Sequence, residues 1–525
     1  MKRHITLGLI SLWGALMFAQ TATEPVVIYD ATARKISSDG KWVACYGSSI
    51  VGYNVQTKQS YSYPGCSIGI GNSVALDGTI VGDLEDEAVF MKEGSITSPA
   101  IFSSYQGTGL NGITPNSTRI VGILRNPVLY DYDGDPYDDG IIVSVPFYAD
   151  MSNGNVEKIN ILPYPEKDFL GFVPQNVTAE WISSDGKTIL GKITDSYGRF
   201  EDPIVYHENS NGEWNYITPT KEFVNPNKIV LPENPWAMAP PEPKPRNYMS
   251  NIRYQQYLAA IENALLGGGT EPNPLDYMTP ENAEKYLQDC IDYDNYFLEH
   301  KSELDAYDAA YTQILKTSTF FHEYALNPNG KTFVTVGLLY DEEDTDSPSK
   351  VYIFNTETGT YQKIESQYSG LKIYQVLSNG TVLAYTGLFT YDILMGYILL
   401  PGASDFIPFA DYLAQTNPED ALWLDKTFPN GEGIISASDD LTVVAGGVDV
   451  LHAPDPGMFP DSTILSYILP KLKPAGIESI EIEEAEGVYK VYNLMGVKVL
   501  QTKDKAELKN LDKGIYIING KKIAL

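Results

Sequence analysis

The chain reads as a mainly β protein: a β-propeller of about seven blades, interrupted by a helical insertion and followed by a small C-terminal β-sandwich. Three observations lead there. A short motif of a polar residue, a tight Asp/Asn-Gly turn and a β-branched run recurs seven times through the body. The composition, with 37 Tyr, 44 Gly and 33 Pro in 525 residues, favours strands and turns over long helices. Charge also changes sign near residue 470. Residues 471–525 hold ten lysines and eight acids, whereas 20–470 hold 25 basic and 60 acidic side chains. A break of that kind separates domains.

The N-terminus comes first. Lys2-Arg3 is a basic start, Ile5 to Phe18 is an apolar stretch, and Ala19 is the small residue before a cleavage point. Residues 1–19 are therefore expected to be a signal peptide, with Gln20 the first mature residue. The apolar stretch is too short to span a bilayer, and nothing later approaches ~18 uninterrupted apolar residues. No transmembrane segment is expected. With no Cys near the cleavage point, neither is a lipid anchor.

The body, 20–470, carries the repeat. Its clearest copies are Ile36-Ser-Ser-Asp-Gly-Lys-Trp-Val-Ala44 and Ile182-Ser-Ser-Asp-Gly-Lys-Thr-Ile-Leu-Gly191. Others begin at Leu76, Thr114, Leu326, Leu377 and Ile435, with turns at 40, 78, 118, 186, 330, 380 and 440. Asp-Gly and Asn-Gly suit two-residue hairpins, and β-branched residues follow them. Spacings near 40–50 residues with several strands per unit indicate propeller blades. Val26–Tyr29 is expected to pair with Ile464–Leu469, closing the ring and removing free edges. These copies resemble the Ser-Pro-Asp-Gly-Lys repeats of TolB-like propellers and the extracellular repeats of the HAF type, which implies the fold and no particular activity.

Between the turns at 186 and 330 lies the insertion, residues 220–320. It opens Pro-rich, through Pro240-Pro241-Glu242-Pro243-Lys244-Pro245, as an extended arm. Asn247 caps a helical stretch ending at Gly267-Gly268-Gly269. Thr279 then caps a second, with Pro280 at its first position and Glu281 and Glu284 in its first turns. Its apolar positions 283, 287, 291, 298, 304, 307, 311 and 314 predict a helical hairpin resting on the propeller face. A long insertion of this kind is expected to serve as a lid or docking arm.

The tail, 476–525, has β-rich runs flanking Asn493-Leu494-Met495-Gly496. It then continues through Leu508 to Leu511, Lys513-Gly514-Ile515-Tyr516-Ile517-Ile518, and closes on Lys521-Lys522-Ile523-Ala524-Leu525. Asn519-Gly520 is a hairpin signal, and several short strands predict a small sandwich. This order of pieces resembles the C-terminal sorting domain read by the type IX secretion machinery of Bacteroidetes. The resemblance implies export through that machinery, then release or attachment at the cell surface.

Residues that carry chemistry are few. Asp131, Asp133, Asp135, Asp138 and Asp139 crowd one short segment. Close carboxylates repel unless a cation neutralises them, and hard oxygens suit calcium. Here Pro136 stands where a helix–loop–helix calcium loop has glycine, and Ile142 where it has its bidentate Glu. The run Asp341–Asp346 lacks alternation and reads as a solvated connection. Gly65-Cys66-Ser67-Ile68-Gly69 has nucleophile-elbow spacing, but its flanks are strand-like. Ser37-Ser-Asp39-Gly40-Lys-Trp42 resembles the Asp-box of sialidases with one residue omitted. The arginine cluster that would hold a sialic carboxylate is missing, since outside the insertion the mature chain has only Arg34, Arg119, Arg125 and Arg199. Cys45 and Cys66 are candidates for a disulfide if adjacent strands carry them, with Cys290 free.

A net charge of −31 excludes a nucleic-acid partner, whose phosphates need a basic surface. The sequence therefore reads as a secreted or surface-held propeller that binds a glycan or protein through tyrosine-rich loops at 130–139 and 220–320. No catalytic residue is assigned. The alternative is a glycan-degrading lyase or hydrolase using acids of the propeller channel, with or without calcium.

Overall fold

A computed structural model of the chain describes residues 24–105, 107–127, 142–152, 154–166, 174, 176–194, 201–233, 235, 239–240, 242–267, 270, 272–339, 347–387, 395–428, 433–451, 462–470, 472, 489–493, 498–502, 515–518 and 521–524. The body is a β-propeller. Among the described residues its strands form antiparallel meanders in chain order, each a sheet of its own except the third and fourth, which share one nine-stranded sheet through a parallel bridge between Ser144 and Asn176. The first is Ala31–Ile36, Trp42–Gly47, Ser49–Asn54 and Gln59–Pro64. The second is Ile80–Leu84, Glu87–Lys92 and Ser95–Thr97, with an inner segment bridged at Cys66 and Val74. The third runs from Gly107–Ile113 to Asn155–Ile161, and the fourth from Asn176–Val177 to Trp214–Ile217. The fifth spans Thr319–Leu326 to Tyr361–Ser369, and the sixth Lys372–Val376 to Ile407–Pro408. The last is Ile434–Ala437, Val443–Leu451 and Ser462–Pro470.

Closure follows from pairing and packing together. Val26, Val27, Ile28 and Tyr29 pair antiparallel with Ile468, Tyr467, Ser466 and Leu465, so the N-terminal strand completes the last meander as its sequence position predicts. Apart from one small cluster in the insertion, the core clusters of the described residues fill the spaces between neighbouring meanders. Ala33, Val43 and Cys45 of the first meander meet Ala445 and Ile468 of the last, while Ala44, Ile50 and Tyr63 on the opposite face meet Ile80, Val89 and Met91 of the second. That alternation explains the cysteines. Cys45 and Cys66 are both buried and unbonded, because they lie in clusters on opposite faces of one sheet.

The repeated motif is the connection from first to second strand. Gly40 N donates to Ser37 O and Ser37 N to Trp42 O, each at 2.9 Å. The Ser37 hydroxyl accepts Trp42 N at 3.0 Å and donates to Asp39 at 2.8 Å. Ser183/Asp185/Thr188 and Ser438/Asp440/Val443 repeat this pattern. The loop is thus wider than a two-residue hairpin. One residue per copy has positive φ, at 40, 78, 117, 186, 330, 380 and 441, which moves two turn positions by one from those predicted. A two-residue type I′ turn needs two such residues. Here the Ser and Asp side chains close the wider loop instead.

Antiparallel pairing places the connections from second to third strand, and those from one meander to the next, at the opposite end. That end receives the links between Pro127 and Ile142, Leu339 and Pro348, Thr386 and Met395, and Leu451 and Ser462. It also receives the insertion, between Ile217 and Thr319, and two short helices between Pro408 and Ile434. The insertion contains α1 (Asn251–Gly267), α2 (Pro280–Glu299) and α3 (Lys301–Thr317). The short helices are α4 (Phe409–Thr416) and α5 (Pro418–Thr427). These two, absent from the sequence expectation, bury Phe409, Tyr412, Leu413 and Leu424 against the sixth and seventh meanders. In the tail, the described strands Tyr489–Asn493, Lys498–Thr502, Ile515–Ile518 and Lys521–Ala524 form one four-stranded sheet. No helix of the described residues is long and apolar enough to cross a membrane.

Candidate functional site

The axis of the propeller is built by irregularities in its innermost strands. Ala33 pairs with Cys45 and Lys35 with Ala44, leaving Arg34 bulged. Tyr374 is bulged between Ile373 and Gln375, and Asn111 between Leu110 and Gly112. Glu323 and Tyr324 fall in a register shift after His322, with Glu323 at φ 51°. A bulge turns a side chain away from the alternation of a strand. Four of the inner strands therefore depart from the regular ladder at similar depth.

Lys35 lies at the hub. Its ammonium donates to Ile70 O of the second meander at 2.6 Å. It also sits 4.7 Å from the ring centres of Trp181 in the fourth and Tyr374 in the sixth. A group from the first meander can reach all three only across the centre. The Tyr374 hydroxyl donates back to Arg34 O. Although Lys35 is half-buried by surface, protein surrounds its charge. Withdrawal from water, and then the like charge of Arg34, push it down to about 7 against the upward pulls of Glu180 and Glu323.

Glu180 is buried and lies between the two short inner strands of the fourth meander. Burial raises its pKa, against the pulls of Lys192 and the Thr178 hydroxyl. Lys192 Nζ lies 2.6 Å from Glu201 and 3.8 Å from Glu180. Burial lowers the Lys192 pKa, but these two carboxylates outweigh it and the net shift is upward. Tyr374, pushed up to about 12 by burial, remains a neutral donor. The axis thus gathers an amine whose pKa is pushed down, beside two aromatic rings, and a carboxyl whose pKa is pushed up. None of these residues was singled out from sequence. Inner-strand bulges leave no motif that one chain can reveal.

The insertion differs from its expectation in an informative way. Thr279 caps α2 by accepting Asn282 N at 3.3 Å, and Pro280 opens it as predicted. Asn247 instead lies in the 3₁₀ turn Pro245–Tyr248, and α1 starts at Asn251. The main reversal concerns which face is covered. In α3, Leu304, Tyr307, Tyr311, Ile314 and Leu315 are buried, and three of them pack with Leu231 and Phe320. In α2 no residue is fully buried, and Leu287, Ile291 and Leu298 are 47%, 52% and 72% exposed. Its aromatic row turns inward instead. Tyr286 packs edge-on to Tyr248 at 5.1 Å, and the Tyr248 hydroxyl donates to Asp289 at 2.6 Å. Tyr296 donates to Pro235 O at 2.6 Å. Tyrosines combine wide faces with one polar tip, which suits packing on a proline-rich arm with its spare carbonyls. The aliphatic row, predicted to rest on the propeller, is left outside.

The candidate calcium ligands Asp131, Asp133, Asp135, Asp138 and Asp139 lie outside the described residues, as do Asp341–Asp346. Among the described residues no cluster of His, Cys, Asp or Glu is arranged to hold a metal. Cys66 sits in an extended inner segment beside Leu84, without the helix a nucleophile elbow needs. Asp39, within the box-like motif, closes its own turn and pairs with Lys41 at 2.7 Å.

No known family profile matches the chain, and no curated protein does. Solved structures with similar backbones include an oligogalacturonate lyase in complex with manganese, at 9% identity and TM-score 0.42, over 86% of this chain and 99% of that one. The acylaminoacyl peptidase of Pyrococcus horikoshii matches at 8% identity and TM-score 0.40, over 90% of this chain and 56% of its own. TolB from Acinetobacter baumannii matches at 9% and TM-score 0.27, over 74% and 64%.

Proposed function

We propose that the protein is an exported propeller that binds a partner protein through α2, at the end of the ring carrying its longest connections. The observation behind this is the uncovered aliphatic row of α2. Leu287, Ile291 and Leu298 fall on one helical face and stay exposed, while the neighbouring helix buries five residues. Six acids (Glu281, Glu284, Asp289, Asp292, Asp294 and Glu299) and one lysine share that helix. A basic amphipathic segment matches both its apolar row and its charge. A second copy of this chain would bring like charges together.

The test is calorimetric titration of an amphipathic Leu/Lys helix into the protein. Covering each of the three half-exposed side chains contributes about 1 kcal/mol. The variant Leu287→Ser/Ile291→Ser/Leu298→Ser should therefore lose about 3 kcal/mol, a roughly hundredfold drop in affinity. Unchanged binding by the folded triple variant would reject α2 as the surface.

Export belongs to the same proposal. It rests on the basic-then-apolar start, residues 1–19, and on the resemblance of 476–525 to a type IX sorting domain. Removing 476–525 should leave a folded body that fails to reach the surface, and normal surface delivery would refute the tail as an address. Calcium at Asp131–Asp139 is a further part, supported by the density of carboxylates there. A rise in melting temperature with calcium, abolished by Asp133→Asn, is the expected result, and no response would remove it.

One observation favours a second reading, the glycan-degrading enzyme. The hub sets Lys35, poised near neutral pH, within electrostatic reach of buried Glu180, a pairing suited to base and acid roles. Polysaccharide turnover lost in Glu180→Gln would favour it. Intact turnover in that variant, or no turnover at all, would reject it.

A further inference from the structure

A groove far from the axis lies between the outer strands Asn155–Ile161 and Trp214–Ile217, in the third and fourth meanders. It has a volume of about 590 Å³ and is lined by Tyr148, Lys158, Asn160, Ile161, Pro163 and Trp214, among others. Its wall is aromatic. The Tyr148 and Trp214 rings lie 5.0 Å apart at 42°, so they form an angled platform.

One cation holds both rings. The Arg119 guanidinium lies 4.9 Å from the Tyr148 ring centre and 5.6 Å from that of Trp214. Arg119 in turn bonds Asp150 at 2.6 Å, Glu208 at 2.9 Å and Gly186 O at 2.9 Å. Burial alone would lower the Arg119 pKa, but these two carboxylates raise it, and the charge is permanent. Two aromatic side chains from different meanders are thereby fixed before any ligand arrives, which lowers the entropic cost of binding. Ordinary core packing does not require a platform that opens on the surface. Here Ile161 is 50% exposed, and Pro163 and Lys158 are exposed beside it.

The chemistry of the lining selects the ligand. Flat rings suit the C–H face of a pyranose, and Asn160 and Lys158 in the lining offer polar groups that could bond its hydroxyls. The volume falls in the range of small-molecule sites and suits one or two sugar rings. The body's large negative charge opposes polyanions, which leaves uncharged sugars. We infer that the groove between the third and fourth meanders is a binding subsite for neutral pyranose rings of a glycan, stacked on Trp214 and Tyr148. It is separate from α2 and stands whether or not α2 docks a protein.

The test uses the full chain and three neutral probes, cello-, manno- and xylo-oligosaccharides, followed by calorimetry and saturation-transfer NMR. At least one series should bind, with Trp214→Ala weakening it at least tenfold. Because Trp214 packs partly on the core, Ile161→Asp serves as the second variant, since its exposed side chain leaves the fold intact. It should also weaken binding, whereas the triple α2 variant should not. Failure of all three series to bind overturns the inference. So does binding that survives both groove variants in folded protein.

Discussion

Gly78 and Gly380 occupy the same place in two copies of the repeated turn, and replacing each by alanine separates backbone strain from packing. Their φ angles are close, +83° and +88°. An L-residue in that region costs about 1–2 kcal/mol, so this part of the effect is shared. The surroundings differ. A Cβ on Gly78 would lie 2.7 Å from Cζ2 and 2.8 Å from Cδ2 of Trp42. Trp42 is a rigid ring only 9% exposed, so it cannot swing aside. On Gly380 a Cβ meets nothing within 4 Å. Overpacking a filled site adds about 1–3 kcal/mol. Gly380→Ala should therefore cost about 1–2 kcal/mol, and Gly78→Ala about 2–5 kcal/mol. Urea unfolding followed by circular dichroism and tryptophan fluorescence measures both. Equal losses would refute the reasoning, because they would mean that the first two meanders do not interlock at this turn.

Other consequences are simpler to measure. Iodoacetamide on the native protein should label Cys290 first, since Cys45 is buried and burial pushes its thiol up to about 12; mass spectrometry showing Cys45 modified first would contradict the packing between the first and last meanders. For Lys35 the folded pKa of about 7 lies below the ordinary lysine value of 10.5, so between these values the unfolded chain binds more protons. Wild type should gain stability relative to Lys35→Met as pH rises from about 7 to 10.5, and should show no such gain below 7. A relative loss over the upper window would remove Lys35 from the enclosed hub. Arg119→Met should loosen the Tyr148–Trp214 platform, visible as greater accessibility of Trp214 to acrylamide, and unchanged quenching would show that the rings hold themselves.

Much of the fold was legible because the repeat encodes it locally. Each Ser-x-Asp-Gly copy names its own turn, and the strands around it follow from β-branched residues. The closing strand at Val26–Tyr29 was legible for a related reason, since a ring must cover its edges. The helices α4 and α5 were not, being two short connections whose helical state comes from packing Phe409, Tyr412 and Leu413 on neighbouring sheets. The insertion was half legible. The Thr279-Pro280 cap located α2, but Asn247 did not start α1, and periodicity ran α2 and α3 together as one stretch and ranked Leu, Ile and Tyr alike as apolar. Which row turned inward depended on Tyr248 and Pro235, distant in sequence and supplied by the proline-rich arm. The hub was hidden altogether, because bulging Arg34 and Tyr374 toward one axis is a property of the assembled ring.

Hydrogen exchange with the Leu/Lys helix bound tests the central claim most directly, because it reports where a partner sits. The account predicts slowed exchange concentrated in Pro280–Glu299, with the inner strands Ala31–Ile36 and Lys372–Val376 unchanged. Protection that appears on those inner strands and spares α2 would contradict it.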